Sequence, residues 1–192
     1  MPQENPAALE FLLSRRSRPA KTLVAPGPNR DQLLPILTAA ARTPDHGKLE
    51  PWRFIVIQGA AFARLADLAE TRARDLGKSD EDAAKARAQF DQGVLAVVVV
   101  DSPVEAAKIP RIEQTYSAGA VCLALLNAAL ASGWGANWLS GWVSHDPTFC
   151  AHGLGLDPHE RIAGLIHIGT ERAAPPERPR PDLEIKTSWV SA

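Results

Sequence analysis

Apolar residues recur along this chain with two different periods, and the switches between them mark out its elements. After Asn5-Pro6, a capping residue followed by a proline suited to a first helical position, Leu9, Leu12 and Leu13 share one apolar face and predict a helix to about Ser14. An irregular link with Pro19, Pro26 and Pro28 follows. Asn29 with Gln32 has the spacing of a capping box and opens a helix through Leu33, Leu34, Ile36, Leu37, Ala40 and Ala41. Pro35 removes a hydrogen bond inside that helix, so a kink or a later start is expected there.

Trp52 to Gln58 reads as a strand, and Gly59 to Leu76 as an amphipathic helix with Phe62, Leu65, Leu68 and Ala69 on one side. Ser79 with Asp80, Glu81 and Asp82 starts another helix, the acids favouring its positive end. The β-branched run Val94 to Asp101 predicts a strand covered on both faces. A long helix follows from about Arg111 to Ser132. The glycine-rich GWGANWLSGW can form a strand, Asp146-Pro147 caps a short helix ending near Gly153, and Arg161 to Ile168 forms the last strand. Strands and long helices are mixed without strict alternation, which favours one α+β domain over residues 1–192 with a central sheet.

The segment Ser117 to Ser132 carries no charge. At 16 residues, rich in alanine and containing Asn127, it is too short and too weakly apolar for a membrane span. A helix without a polar face is otherwise a buried one, so it is expected in the core. In a chain of 192 residues, burial all round is easier with a second subunit. The Pro-rich tail, about 171–192, cannot be helical from Ala174 to Pro181 and is long enough to lie extended across a partner.

Charge narrows the function. With 21 basic and 22 acidic residues the net charge is -1, which argues against a nucleic-acid or membrane-surface binder. Cys122 and Cys150 lie in apolar surroundings and are read as buried thiols in a reducing compartment; without a signal-peptide pattern the chain is expected to be cytoplasmic. No serine-hydrolase elbow, helical zinc pair or dinucleotide fingerprint is present, and no acid–base pair stands out. No catalytic side chain or metal site is expected; a cofactor would carry the chemistry. Arg15-Arg16-Ser17 offers two guanidinium forks and a hydroxyl, suited to phosphate or simply to a solvated helix end.

Taken in order, RRS near the start, ARTPDHGKLEPWRFIVIQG, SAGAVCLALLNAALASG and GWGANWLSG resemble the FMN-dependent nitroreductases, closest to their short single-domain bacterial branch of NAD(P)H nitroreductases, from about Ala7 to Gly169. The resemblance implies a homodimer with two FMN molecules at the subunit interface. It places Arg15, Arg16 and Ser17 on the phosphate and ribityl end, Arg42 and His46 near the flavin from the loop before Pro51-Trp52, and Trp138, Leu139 and Ser140 beside it from the glycine-rich segment. Ala128, Ala129, Leu130, Ala131, Ser132 and Gly133 fall where relatives are assigned nicotinamide contacts. Relatives tend to carry a basic residue at the place of Leu139, so part of the anion binding is expected to shift to Arg178 or Arg180. Trp52 and Tyr116 are read as packing residues and Glu113 as a surface one. The implied activity is hydride transfer from NAD(P)H to FMN, then reduction of a small-molecule acceptor such as a nitroaromatic or quinone. The alternative is an FMN-binding or storage module without turnover.

Overall fold

The computed structural model describes residues 3–191. Its helices are α1 (Pro6–Ser14), α2 (Arg30–Ala40), α3 (Ala61–Asp75), α4 (Asp80–Asp91), α5 (Arg111–Ala131), α6 (Pro147–Leu154) and a single turn, α7 (Leu183–Lys186). Its strands are β1 (Leu23–Val24), β2 (Trp52–Gln58), β3 (Leu95–Asp101), β4 (Gly135–Leu139) and β5 (Arg161–Glu171). All strand pairs are antiparallel: β2 with β3, β3 with β5, β4 with residues 165–169 of β5, and β1 with its last two residues.

The local signals act as their chemistry requires. Asn5 accepts a hydrogen bond from the Ala8 amide, and Asn29 and Gln32 complete a reciprocal capping box. Pro35 neither delays nor ends α2, which runs continuously from Arg30 to Ala40 around it. β1 was not visible in the sequence, because two residues inside a proline-rich link carry no period.

Every residue of β3 is buried, as its β-branched run predicts. Successive side chains point to opposite faces, so Ala96, Val98 and Val100 enter a core with α3, α4 and α6. Leu95, Val97 and Val99 enter a second core with α2 and α5. α5 therefore lies against the sheet, yet it is not enclosed all round. Ile112, Tyr116 and Leu123 lie along a stripe that is 52%, 69% and 46% exposed. Tyr116, expected to pack, is on this stripe. The apolar face of α1 is also open: Leu9, Leu12 and Leu13 are exposed and the helix buries no residue.

Candidate cofactor site

Three pieces of chain meet at the end of α5. Arg15 caps α1, its amide donating to the Phe11 carbonyl, so the arginines begin where the helix stops. The Arg18 amide then donates to the Ala136 carbonyl at 2.8 Å, tying the turn to β4. Gly133, at φ +83°, ends α5 in a left-handed conformation that a side chain would strain. Phe11, Arg15, Arg16, Arg18, Leu130, Gly133, Trp134 and Glu171 line a cavity of about 340 Å³ between these pieces.

The cavity is strongly basic at one wall. Arg15 Nη2 donates to Ser17 Oγ at 3.0 Å, while Arg15 Nε is buried without a partner. Burial, then the charges of Arg180, Arg16 and Arg18, push the Arg15 pKa down from its ordinary value. A bound anion would relieve that repulsion and satisfy the free N–H. Arg18 Nε lies 2.8 Å from Glu171 Oε2, and Arg16 Nη1 and Arg180 Nη2 lie 3.2 and 2.9 Å from Glu177 Oε1. The donor set fits a phosphate.

Of the α5-end residues singled out in the sequence, Leu130 and Gly133 face this cavity. Ala129 is fully buried in the core, and the Ser132 hydroxyl turns back to the Ala128 carbonyl at 2.8 Å. Ala131 and Ser132 are exposed and Ala128 is half-buried. Downstream, Trp138 is partly exposed on β4, its indole packed so closely over Gly164 that an added Cβ would fall 2.1 Å from Nε1. Leu139 points into a small void of about 40 Å³ beside Gln89 and His167, and Ser140 is exposed. Burial pushes the His167 pKa down to about 4, so the imidazole is neutral at physiological pH.

Arg42 and His46 lie apart from this cavity. Arg42 follows α2 and borders a shallow apolar groove with Leu34, Pro35 and Thr38. His46 Nδ1 is 2.7 Å from Glu113 Oε2 on α5; Glu113 is at the surface, as expected, and pairs with the loop from there. The loop between is tightly shaped: Gly47, Lys48 and Glu50 all have positive φ, a strained state for the last two. Asp45 Oδ1 accepts from the Leu49 amide at 2.6 Å, and Gly47 sits so close to Ile109 that a Cβ would fall 2.4 Å from its methyl group. Trp52 donates to Ser117 Oγ at 3.3 Å, which in turn donates to the Pro44 carbonyl. These bonds tie the loop to α5, with His46 and Arg42 exposed.

No side chain in the cavity is set up as a nucleophile. Both thiols are buried, and burial raises Cys122 to about 12 and Cys150 to about 11. Glu171 and Glu177 carry no local signal and join the arginines only through folding, whereas Arg18 continues the basic run and Trp134 belongs to the glycine-rich aromatic segment, both visible in the sequence.

An antiparallel sheet flanked by helices in this order is the architecture of a known class. A profile of the nitroreductase family matches residues 12–170, and the chain belongs to that family. It is 37% identical over 163 residues to the Escherichia coli (strain K12) protein named "Putative NAD(P)H nitroreductase YdjA", covering 85% of this chain and 87% of that one. The crystal structure of a nitroreductase-like family protein from Bacillus cereus superposes with a TM-score of 0.81 at 25% identity, over the full length of both chains. A nitroreductase-fold protein from Desulfovibrio desulfuricans, crystallised in complex with FMN, superposes at 0.70 with 23% identity, covering 95% of this chain and 96% of that one.

Proposed function

We propose that the chain is an NAD(P)H-dependent FMN oxidoreductase that works as a homodimer and reduces a small-molecule acceptor such as a nitroaromatic or quinone. The observation that carries this reading is the cluster of Arg15, Arg16 and Arg18, with a free buried N–H and the charge of Arg180 nearby, opening on the same cavity as the end of α5 and tethered to β4. The names of the relatives point the same way: the Escherichia coli protein is named for NAD(P)H, and the Desulfovibrio structure holds FMN.

Arg15, Arg16 and Ser17 hold the phosphate end, with Arg180 adding a charge from the tail. Trp138 and Ser140 border the ring system along β4, while the Leu139 side chain turns to the void beside Gln89 and His167. When bound between these residues, FMN would supply the redox chemistry that links NAD(P)H to the acceptor. The protein supplies position and electrostatics, which is why no acid–base pair is needed in the cavity. Arg42 and His46 reach the same cofactor only from a second copy, because within one chain they lie outside the arginine cavity. The open apolar stripe on α5 and the bare face of α1 give that copy a surface to bury.

The purified protein should be yellow and release FMN on denaturation, and NAD(P)H added without oxygen should bleach it. Binding without bleaching would leave the storage reading. Arg16→Ala should weaken FMN binding tenfold or more, since a charged hydrogen bond is worth about 1.5–3 kcal/mol. A colourless protein that cannot be reconstituted with FMN would overturn the assignment.

A further inference from the structure

The basic wall of the cavity is already engaged by a carboxylate from the far end of the chain. Glu177 Oε1 lies 3.2 Å from Arg16 Nη1 and 2.9 Å from Arg180 Nη2, and it also accepts from the Arg178 amide at 3.0 Å. Arg16 Nη1 donates in addition to the carbonyl of the neighbouring Pro176. One oxygen thus collects three donors, much as an oxygen of a bound anion would.

We infer that Glu177 is a built-in competitor for the flavin phosphate, its carboxylate holding Arg16 and Arg180 and yielding them when FMN loads. The inference rests on the FMN reading and concerns how that site is filled. The exposures favour the exchange: the Glu177 side chain is 67% exposed, whereas Arg16 is 16% exposed. The carboxylate therefore sits at the mouth and can turn to solvent without opening the core. The arginine stays behind as part of the wall.

Residues 174–181 form neither helix nor strand, so the swing breaks no secondary structure. Pro175, Pro176, Pro179 and Pro181 keep this segment extended, which holds Glu177 within reach of Arg16 when the phosphate leaves. A phosphate brings nearly two negative charges and three acceptor oxygens to the guanidinium forks, against one charge and one engaged oxygen from Glu177. A phosphate on Arg16 would compete for the Nη1 that Glu177 Oε1 engages, and repulsion between the two anions weakens their joint hold on it. FMN wins the exchange, but with an affinity lowered by the contacts it displaces.

The test measures binding by the apoprotein, by fluorescence titration, for FMN and for riboflavin, which lacks the phosphate. Glu177→Gln keeps the shape and the acceptor for the Arg178 amide while removing the charge. It should bind FMN about three- to tenfold more tightly than the wild type, the range that two partly exposed ion pairs can supply. Riboflavin affinity should not change, and Glu184→Gln, in the same tail, should match the wild type with both ligands. Unchanged or weaker FMN binding by Glu177→Gln, or an equal gain for riboflavin, would overturn the inference. A wild-type protein that takes up neither ligand would instead overturn the FMN reading itself.

Discussion

The two helical layers that flank the sheet end differently at their outer surfaces. On the α3–α4 side the outward face is charged and self-paired: Arg87 reaches Asp67, Glu70 and Asp91, Arg74 reaches Glu70, and Lys85 reaches Glu81. Beneath it Phe62, Leu65, Phe90 and Phe149 are buried against Val98 and Val100. On the α2–α5 side the inner packing is as complete, with Val121, Cys122, Leu125 and Ala129 buried against Val97 and Val99. Its outward face is apolar and bare, carrying Leu34, Ile112, Tyr116 and Leu123, with Leu9, Leu12 and Leu13 of α1 also open. One layer is finished within the chain. The other is finished on its inside only, and the arginine cavity and the His46 loop both adjoin that unfinished layer.

The contrast predicts where mutations act. Phe90→Ala on the closed side should cause the largest loss, about 3–5 kcal/mol, because it opens a cavity beside Phe149 in a fully buried site. Thermal unfolding should show this loss at every protein concentration. A smaller effect is expected from Glu160, whose two oxygens meet Arg53 at 2.7 and 2.6 Å. The hydrogen bonds from Arg53 depress the Glu160 pKa to about 2, against an ordinary value near 4.5. Its contribution is therefore fully present above about pH 4.5 and lost as pH falls toward 2. Glu160→Gln should cost about 1 kcal/mol near neutrality, since Arg53 remains partly in solvent that screens the pair. The variant should also lose less stability between pH 4.5 and 2 than the wild type does, read from urea midpoints across that range. Equal acid sensitivity would assign the low-pH loss to other groups.

The closed layer was the more legible of the two in the sequence. Its caps, its acidic helix start at Asp80 to Asp82 and the period of Phe62, Leu65 and Ala69 are local signals, and each formed where expected. The segment Ser117 to Ser132 is expected from its sequence to be covered on every side with the help of a second subunit, and within one chain its outward face is bare at Leu123. Apolar residues all round a helix state that every face wants cover, but not whether the cover is the chain's own sheet or a second copy. In the cavity, Arg15, Arg16 and Ser17 could be read because they are consecutive. The Glu113 partner of His46 and the Glu177 partner of Arg16 could not, because folding joins residues far apart in the chain. Arg180, also far from Arg15 in the chain, lies close enough to it to lower its pKa.

If a second copy completes the proposed cofactor site across the bare α5 face, sedimentation of the wild type and of Leu123→Glu, each with and without FMN, will show it. Leu123 is 46% exposed, so the substitution leaves the fold of one chain intact while placing a charge in the stripe. The wild type should sediment as a dimer carrying flavin, with FMN shifting dilute apoprotein from monomer to dimer by mass action. Leu123→Glu should remain folded, sediment as a monomer and fail to retain FMN. A folded monomer that keeps stoichiometric FMN would show that each site is complete within one chain, and would contradict the account.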